Sequence, residues 1–322
     1  MMGRHHARIL QSNPLMRFAG AVDPGGDRFG AVRDPELLYG SVEELLGGPG
    51  GPPDFAVIAV PTEEHVAVAR ALAEAGVHVL IEKPLAATVE EARAIIAAVA
   101  AAGVHGAVGH VERCNPALLA LRERVQDGQI GEVYMVGTER VGPFPDRIKD
   151  VGVVKDLATH DLDLVRWLGG APIERVAAQT QHRMGREHED LVLVTGRLGN
   201  GRAFNSVVDW LTPTKVRRTR VLGEGGMLVA DTLSADLYFY ANAHVPTVGW
   251  PEAAARRGVA EGDMTRYALE RREPLAVELE AFCALIGGDA EAKVVSLEEG
   301  LETVAVAEAV LESARTGDAC AL

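Results

Sequence analysis

Val77-His78-Val79-Leu80-Ile81-Glu82-Lys83-Pro84 is an apolar run that ends abruptly in a carboxylate, an amine and a proline. Residues 77–81 read as a strand covered on both faces, because Val, Leu and Ile follow one another without polar alternation. The segment before it, 63–75, is alanine-rich, helical in texture, and stops at Gly76, a C-cap signal. The segment after it opens with Thr88-Val89-Glu90-Glu91, a capping box, in which the Thr hydroxyl and the Glu carboxylate satisfy free N–H groups of a new helix. Runs at 17–22, 54–60 and 104–108 read as further buried strands, and Ser41-Val42-Glu43-Glu44 as a second capping box. Strand, helix and strand at this spacing form βαβ units and a parallel sheet. In such sheets ligands bind beyond the carboxyl ends of the strands, which is where Lys83 stands.

Beyond residue 109 the texture changes. A helix is expected over 116–126 and a strand over 132–140, followed by a proline-punctuated loop over 142–150. A helix over 156–168 is stopped by Gly169-Gly170. Stretches at 173–180, 191–198, 202–211, 215–223 and 226–231 then read as consecutive strands with tight turns, a largely antiparallel sheet. Helices close the chain over 274–286 and 297–314, the second behind the capping box Ser296-Leu297-Glu298-Glu299. The expected division is a parallel-sheet α/β domain over 1–109 and an α+β domain over 110–322 with a largely antiparallel sheet.

The chain's 322 residues suffice for two domains, and 48% hydrophobic with 24% charged content is ordinary for a globular protein. A formal charge of −14 argues against nucleic acid as a partner, because phosphate neutralisation needs a basic face. Three scattered cysteines, Cys114, Cys283 and Cys320, have no metal spacing and leave one unpaired in any disulfide scheme. A cytoplasmic protein with no membrane segment and no metal is expected. The opening Met1-Met2-Gly3-Arg4-His5-His6 lacks the apolar core of a signal peptide.

Four motifs carry chemistry. Gly3 and Arg4 look like the tail of a G-x-G-x-x-G loop and the start of its helix, so the first strand and first two glycines are expected to lie before residue 1, roughly ten residues upstream. Asp23 ends the next strand, where a carboxylate meets a ribose hydroxyl, or else simply makes a turn with Pro24-Gly25-Gly26. A carboxylate there favours NAD, with NADP possible. In Glu82-Lys83-Pro84 the lysine is expected to have a lowered pKa beside a cationic ring and to hydrogen-bond a reacting oxygen; the alternative is a surface turn. Pro61-Thr62-Glu63-Glu64-His65 offers a hydroxyl and an imidazole to the cofactor, or an ordinary N-cap at Thr62. Asp156 and His160, four apart, share one helical face continued by Asp163 and Trp167, while Leu157, Leu164, Val165 and Leu168 form an apolar stripe. A histidine suits proton abstraction from an alcohol. An exposed Asp–His pair or a metal site are the alternatives.

Together with Gly109-His110, Glu112-Arg113, Asn115-Pro116 and His160-Asp161, these motifs resemble the Gfo/Idh/MocA (glucose–fructose oxidoreductase / inositol dehydrogenase) family over essentially the whole chain. The resemblance implies a Rossmann domain over 1–109 and an α+β domain over 110–322 with an open, mostly antiparallel β-sheet, a catalytic trio of Lys83, Asp156 and His160, and an NAD(P)-dependent oxidoreductase acting on a sugar hydroxyl. It implies cofactor contacts from Gly3, Arg4, Asp23, Pro61, Thr62, His65, Glu82, Lys83 and Pro84. A homodimer or homotetramer through the open sheet is also implied. Residues 110–116 and 140–147 look most like members that handle UDP-N-acetylglucosamine-type sugars. A diphosphate would then meet Arg113, Arg140, Arg147 and Lys149, with Asn115 a further substrate contact, unless the charges are simply solvated surface groups. Cys114 replaces the usual aromatic before Asn-Pro and reads as a small buried thiol. The competing readings are a cyclitol or free-sugar dehydrogenase and a non-catalytic NAD(P)-binding regulator.

Overall fold

The computed structural model describes residues 2–145, 151–243 and 261–322. The chain divides into two compact units. One comprises Met1–Cys114 with Arg272–Glu308, and the other Asn115–Arg271 with Ala309–Leu322. The first unit therefore takes back a segment near the C-terminus, which the sequence division at 109/110 does not foresee.

The first unit is layered around the parallel strands β3 (Phe55–Ile58), β4 (His78–Glu82) and β5 (Gly106–Gly109). Register places Ile58 beside Ile81 and Ile81 beside Val108, and the last pair is Glu82 with Gly109. Alternate residues of β4 point to opposite faces. Val79 and Ile81 pack with Ala69, Leu72 and Ala73 of helix α3 (His65–Glu74) and Ile95 and Val99 of α4 (Val89–Ala102). Leu80 joins Ala107 on the other side, with Ile9 of α1 (Gly3–Leu10) and Leu275, Leu279 and Phe282 of the returning helix Pro274–Ile286. Each fully buried branched or aromatic side chain stabilises the layer by about 1.5–3 kcal/mol.

The hydroxyl half of all three capping boxes forms, while the carboxylate returns to its own N-cap N–H only at Glu299 with Ser296; Glu44 and Glu91 accept instead from Gly40 and Ala87, one residue earlier. The N–H groups of Glu44, Glu91 and Glu299 donate to the hydroxyls of Ser41, Thr88 and Ser296 at 3.1–3.2 Å. The strand expected over 17–22 is shorter: β1 is Ala21–Val22 and pairs in parallel only with β2 (Leu38–Tyr39). Its ladder is two residues long because its partner is, and β2 itself has no sequence signal.

The second unit carries a nine-stranded sheet in the order β13-β12-β11-β10-β6-β9-β8-β7-β14. Every neighbouring pair is antiparallel except β6 (Val133–Pro143) with β9 (Ala203–Asp209), so the sheet is open and mostly antiparallel, as expected. The strands β7 (Ile173–Gln181), β8 (Leu191–Leu198), β10 (Leu211–Gly223) and β11 (Gly226–Asp231) lie close to their expected places. Buried Val192, Val194, Phe204 and Val208 alternate with more exposed neighbours along β8 and β9, the signature of a sheet with one covered face. Three strands lie outside the stretches expected from the sequence: β12 (Asp236–Asn242), β13 (Glu261–Tyr267) and β14 (Cys320–Ala321). Among the described residues no helix is long and apolar enough to cross a membrane.

Candidate active site

In the first unit the motif residues cluster beyond the ends of β3, β4 and β5. Lys83 follows the last registered residue of β4, is half-buried, and precedes a cis peptide bond to Pro84. Glu82 is buried. Its Oε1 lies 2.6 Å from Nε2 of His6, itself only 2% exposed. Glu278, from the returning helix, is buried nearby. Burial first, and the charge of Glu82 second, hold its carboxyl well above the usual range.

His65 is also buried. One ring nitrogen is 3.1 Å from the carbonyl of Leu85 and the other 3.2 Å from that of Val60. It ties the loop after β3 to the loop after Lys83-Pro84 rather than presenting its ring to a ligand. Thr62 does not cap α3. It begins a 3₁₀ turn whose N-cap is Pro61, and no side chain closes that end. Asp23 is exposed and accepts the N–H of Gly25 at 2.8 Å, so the turn and the free carboxylate coexist.

The start of α1 is open. Met2 provides no side-chain cap and the first turn holds no acidic residue. A Cβ built on Gly3 would lie 3.9 Å from Cβ of Ala59, so this helix end stands against the residue that follows β3. Uncapped N–H groups at the positive end of a helix, beside a strand end, suit an anion such as a pyrophosphate.

In the second unit Asp156 lies in a π-helical turn, Val154–Ala158, that runs directly into α6 (Thr159–Gly169), whose second residue is His160. The helix thus starts earlier and wider than the expected 156–168; π-turns recur at functional sites. Both side chains are half-buried. Distant residues fix the start of this turn. Glu189 accepts the N–H of Val154 at 2.9 Å through its carboxylate and that of Val153 at 3.0 Å through its carbonyl. A Cβ on Gly152 would fall 2.0 Å from Oε1 of Glu189, so only glycine leaves room for that carboxylate. Arg186 donates to the carbonyl of Val151 at 2.9 Å and lies over the rings of Phe144 and Trp210. Glu189, Arg186 and His6 escaped sequence reading. Helical phase offered one clue, since His6 and Ile9 are three apart on one buried face of α1.

The apolar stripe of α6 is present, with Leu164, Val165 and Leu168 buried. The polar face is not free, because Asp163 is buried and lies 3.7 Å from Arg166.

Several expected substrate contacts are internal. Arg140 is 4% exposed and its Nε donates to Asp161 at 2.6 Å. Arg113 is buried and donates to Glu299 at 2.9 Å. Asn115 caps α5 (Pro116–Gln126) by accepting the N–H of Ala117, and donates to the carbonyl of Thr232. All three serve the interior, because a buried charge or amide needs its partners close by. Arg147 and Lys149 lie outside the described residues. Cys114 is a buried thiol pushed up to about 12, chiefly by burial, which bears out the packing reading.

Two family profiles match the chain. Residues 1–110 fit the oxidoreductase family's NAD-binding Rossmann fold, and residues 122–322 its C-terminal alpha/beta domain. The chain belongs to the Gfo/Idh/MocA oxidoreductase family. A UDP-N-acetylglucosamine 3-dehydrogenase of Acidithiobacillus ferrooxidans is 32% identical over 87% of this chain and 84% of its own. An inositol 2-dehydrogenase of Rhizobium meliloti is 27% identical over 97% and 93%. The solved structure of UDP-N-acetylglucosamine 3-dehydrogenase GnnA from Acidithiobacillus ferrooxidans superposes with a TM-score of 0.81, covering 98% of this chain and 95% of that one at 28% identity. As a Gfo/Idh/MocA protein the chain is an NAD-dependent dehydrogenase, and the open start of α1 with exposed Asp23 fits that cofactor.

Proposed function

We propose that this chain oxidises a ring hydroxyl of a nucleotide-linked sugar with NAD, with C3 of UDP-N-acetylglucosamine as the first candidate. The observation that carries the reading is a lysine directly beyond the last ladder pair of β4 in a chain with Asp156 and His160 heading one helix. Its similarity to a UDP-N-acetylglucosamine 3-dehydrogenase over most of both lengths supports the substrate.

In this mechanism His160 accepts the hydroxyl proton. Lys83 hydrogen-bonds the same oxygen and stabilises the negative charge that grows there, and Asp156 orients the sugar. Bound NAD supplies the acceptor for the hydride. With NAD bound, the alcohol would lose its proton to His160 and its hydride to the cofactor, so that its C–O bond would become C=O. Gly3, Arg4 and Asp23 are assigned to the cofactor, with Pro61, Thr62, Lys83 and Pro84 lining its far end, while the buried Glu82 is turned to His6 instead. Arg147 and Lys149 remain the proposed diphosphate contacts.

We also assign the outer sheet face to contacts between copies of this chain, as a homodimer or homotetramer. Register aligns Leu222 with Met227, Met227 with Tyr240 and Tyr240 with Met264, an apolar row in which Leu222, Tyr240 and Met264 are exposed. The free thiols of Cys114, Cys283 and Cys320 suit a reducing cytoplasm.

The test is NADH absorbance on mixing the protein with NAD and either UDP-N-acetylglucosamine or myo-inositol. Reduction with the nucleotide sugar alone is the expected result. Reduction with myo-inositol alone would establish the second reading, a cyclitol dehydrogenase, which the match to an inositol 2-dehydrogenase favours. NAD binding without turnover on a broad sugar panel would instead indicate a regulator.

A further inference from the structure

Three charged or polar side chains meet beneath the end of β4, and the scheme above gives none of them a reacting role. Glu82 is the last residue of β4 in register, opposite Gly109. It faces the layer that holds Leu80, two residues earlier, and so points toward α1 and the helix Pro274–Ile286 rather than toward α3 and α4. There His6 meets its carboxylate at 2.6 Å. Both side chains are almost fully withdrawn from water, at 2% and 10% exposure. Glu278 approaches from the returning helix and is 7% exposed, with its Oε2 lacking a partner among the described residues.

This grouping is a poor way to gain stability. Removing charged groups from water costs more than a single contact returns, and well-packed apolar residues would serve a stable layer at least as well. Its placement is better suited to transmitting position. His6 lies one turn from Gly3, on the helix whose open start suits a pyrophosphate. Glu82 is covalently next to Lys83. The contact therefore bridges, in one step, the helix that seats the cofactor and the strand end from which Lys83 departs. A Cβ on Gly109 would lie 3.4–3.5 Å from Glu82, so the carboxylate is closely walled on the sheet side as well.

We propose that His6 is a positioning residue that sets Lys83 through Glu82, so that the setting of Lys83 depends on how α1 is seated. The inference rests on the reading of Lys83 as the group that meets the reacting oxygen, and its test separates the two.

The experiment measures the labelling rate of each lysine by a lysine-selective reagent, read by mass spectrometry, with and without NAD. The chain has only five lysines, and Lys155, Lys215 and Lys293 serve as internal references. In folded His6→Leu, Lys83 is expected to label at a rate changed at least threefold while the reference lysines keep theirs. Glu82→Leu should reproduce this. Glu82→Gln, which still accepts from His6, should stay within about twofold of the parent. NAD affinity, from quenching of protein fluorescence, is expected to fall about tenfold in both leucine variants and hardly at all in Glu82→Gln. A purely structural contact would lower the melting temperature of the leucine variants and leave the Lys83 rate and the NAD affinity of the folded protein unchanged. That outcome overturns the proposal. If His6→Leu does not fold, Glu82→Leu and His6→Asn carry the same comparison. Full turnover in Lys83→Ala would overturn the catalytic reading while leaving the labelling result to stand or fall separately.

Discussion

Lys83 departs from a regular parallel strand whose last ladder pair is Glu82 with Gly109, whereas Asp156 sits in a π-turn whose shape comes from residues over thirty positions away. The backbone of the first arrangement is legible in its own sequence neighbourhood: an apolar run, a terminal carboxylate and a capped helix five residues later. The second is held by Glu189 and Arg186, which grip the backbone of Val151, Val153 and Val154. The two candidate side chains are thus placed by different means, one by regular secondary structure and the other by an irregularity. The two should fail differently.

The largest expected effect tests the regular side. Lys83→Ala should lower kcat by about a hundredfold or more, the usual scale for losing a group that acts on the reacting oxygen, with NAD affinity changed far less. Steady-state kinetics with a fluorescence titration of NAD checks it. His160→Ala should cost a similar factor, and near-normal turnover there would remove His160 from the proton-transfer role. The irregular side is probed by Gly152→Ala, which would set a Cβ 2.0 Å from Glu189. A destabilisation of about 1–3 kcal/mol is expected from overpacking, with kcat reduced roughly tenfold as Asp156 is displaced. Denaturant melts and kinetics read both, and Glu189→Ala in the same chain should recover part of the stability because the two residues share one space.

A smaller effect concerns the buried carboxylate of the first unit. Glu278 has its folded value raised above the ordinary 4.5 by burial and then by Glu82. Such a group contributes its full stability below the unfolded value, and that contribution is lost as pH rises toward the folded value, because only the unfolded chain then gains an ionised carboxylate. Glu278→Gln should therefore flatten the decline of melting temperature above about pH 5 and be the more stable protein at about pH 8. A parent and variant with parallel pH profiles would sink that account. The smallest effect is an absence of reaction: Cys114, pushed up to about 12, should resist iodoacetamide in the native protein after Cys320 has been alkylated.

The same contrast explains what could be read from the chain alone. The strand at 77–81, the capping hydroxyls of Ser41, Thr88 and Ser296, and the glycine stop at Gly170 are local patterns, and the structure reproduces them. The resemblance to nucleotide-sugar enzymes points Arg113, Asn115 and Arg140 at substrate, because guanidinium groups pair well with phosphate oxygens. Their partners, Glu299, Thr232 and Asp161, are far away in sequence or hidden by burial, and no spacing rule reveals them. The π-turn was illegible for the same reason. Strand β1 was overestimated because apolar residues at 17–22 do not show how short its partner is. β12 and β13 were missed although Tyr238, Phe239 and Tyr240 are good strand formers, because the polar residues of 261–267 hid the neighbour that completes them.

The return of residues 272–308 to the first unit also bears on how the chain is made. As synthesis proceeds from the N-terminus, β3, β4 and β5 emerge early, but the side of their sheet bearing Leu80 and Ala107 awaits Leu275, Leu279 and Phe282. At a ribosomal pace of about 5–20 residues per second, that surface stays uncovered for something on the order of ten seconds. Throughout that interval the nascent dinucleotide-binding region is a half-built object that shows greasy surface to whatever is nearby. Exposed surface of that kind makes an incomplete chain prone to aggregate, and the arrival of the closing helix removes it.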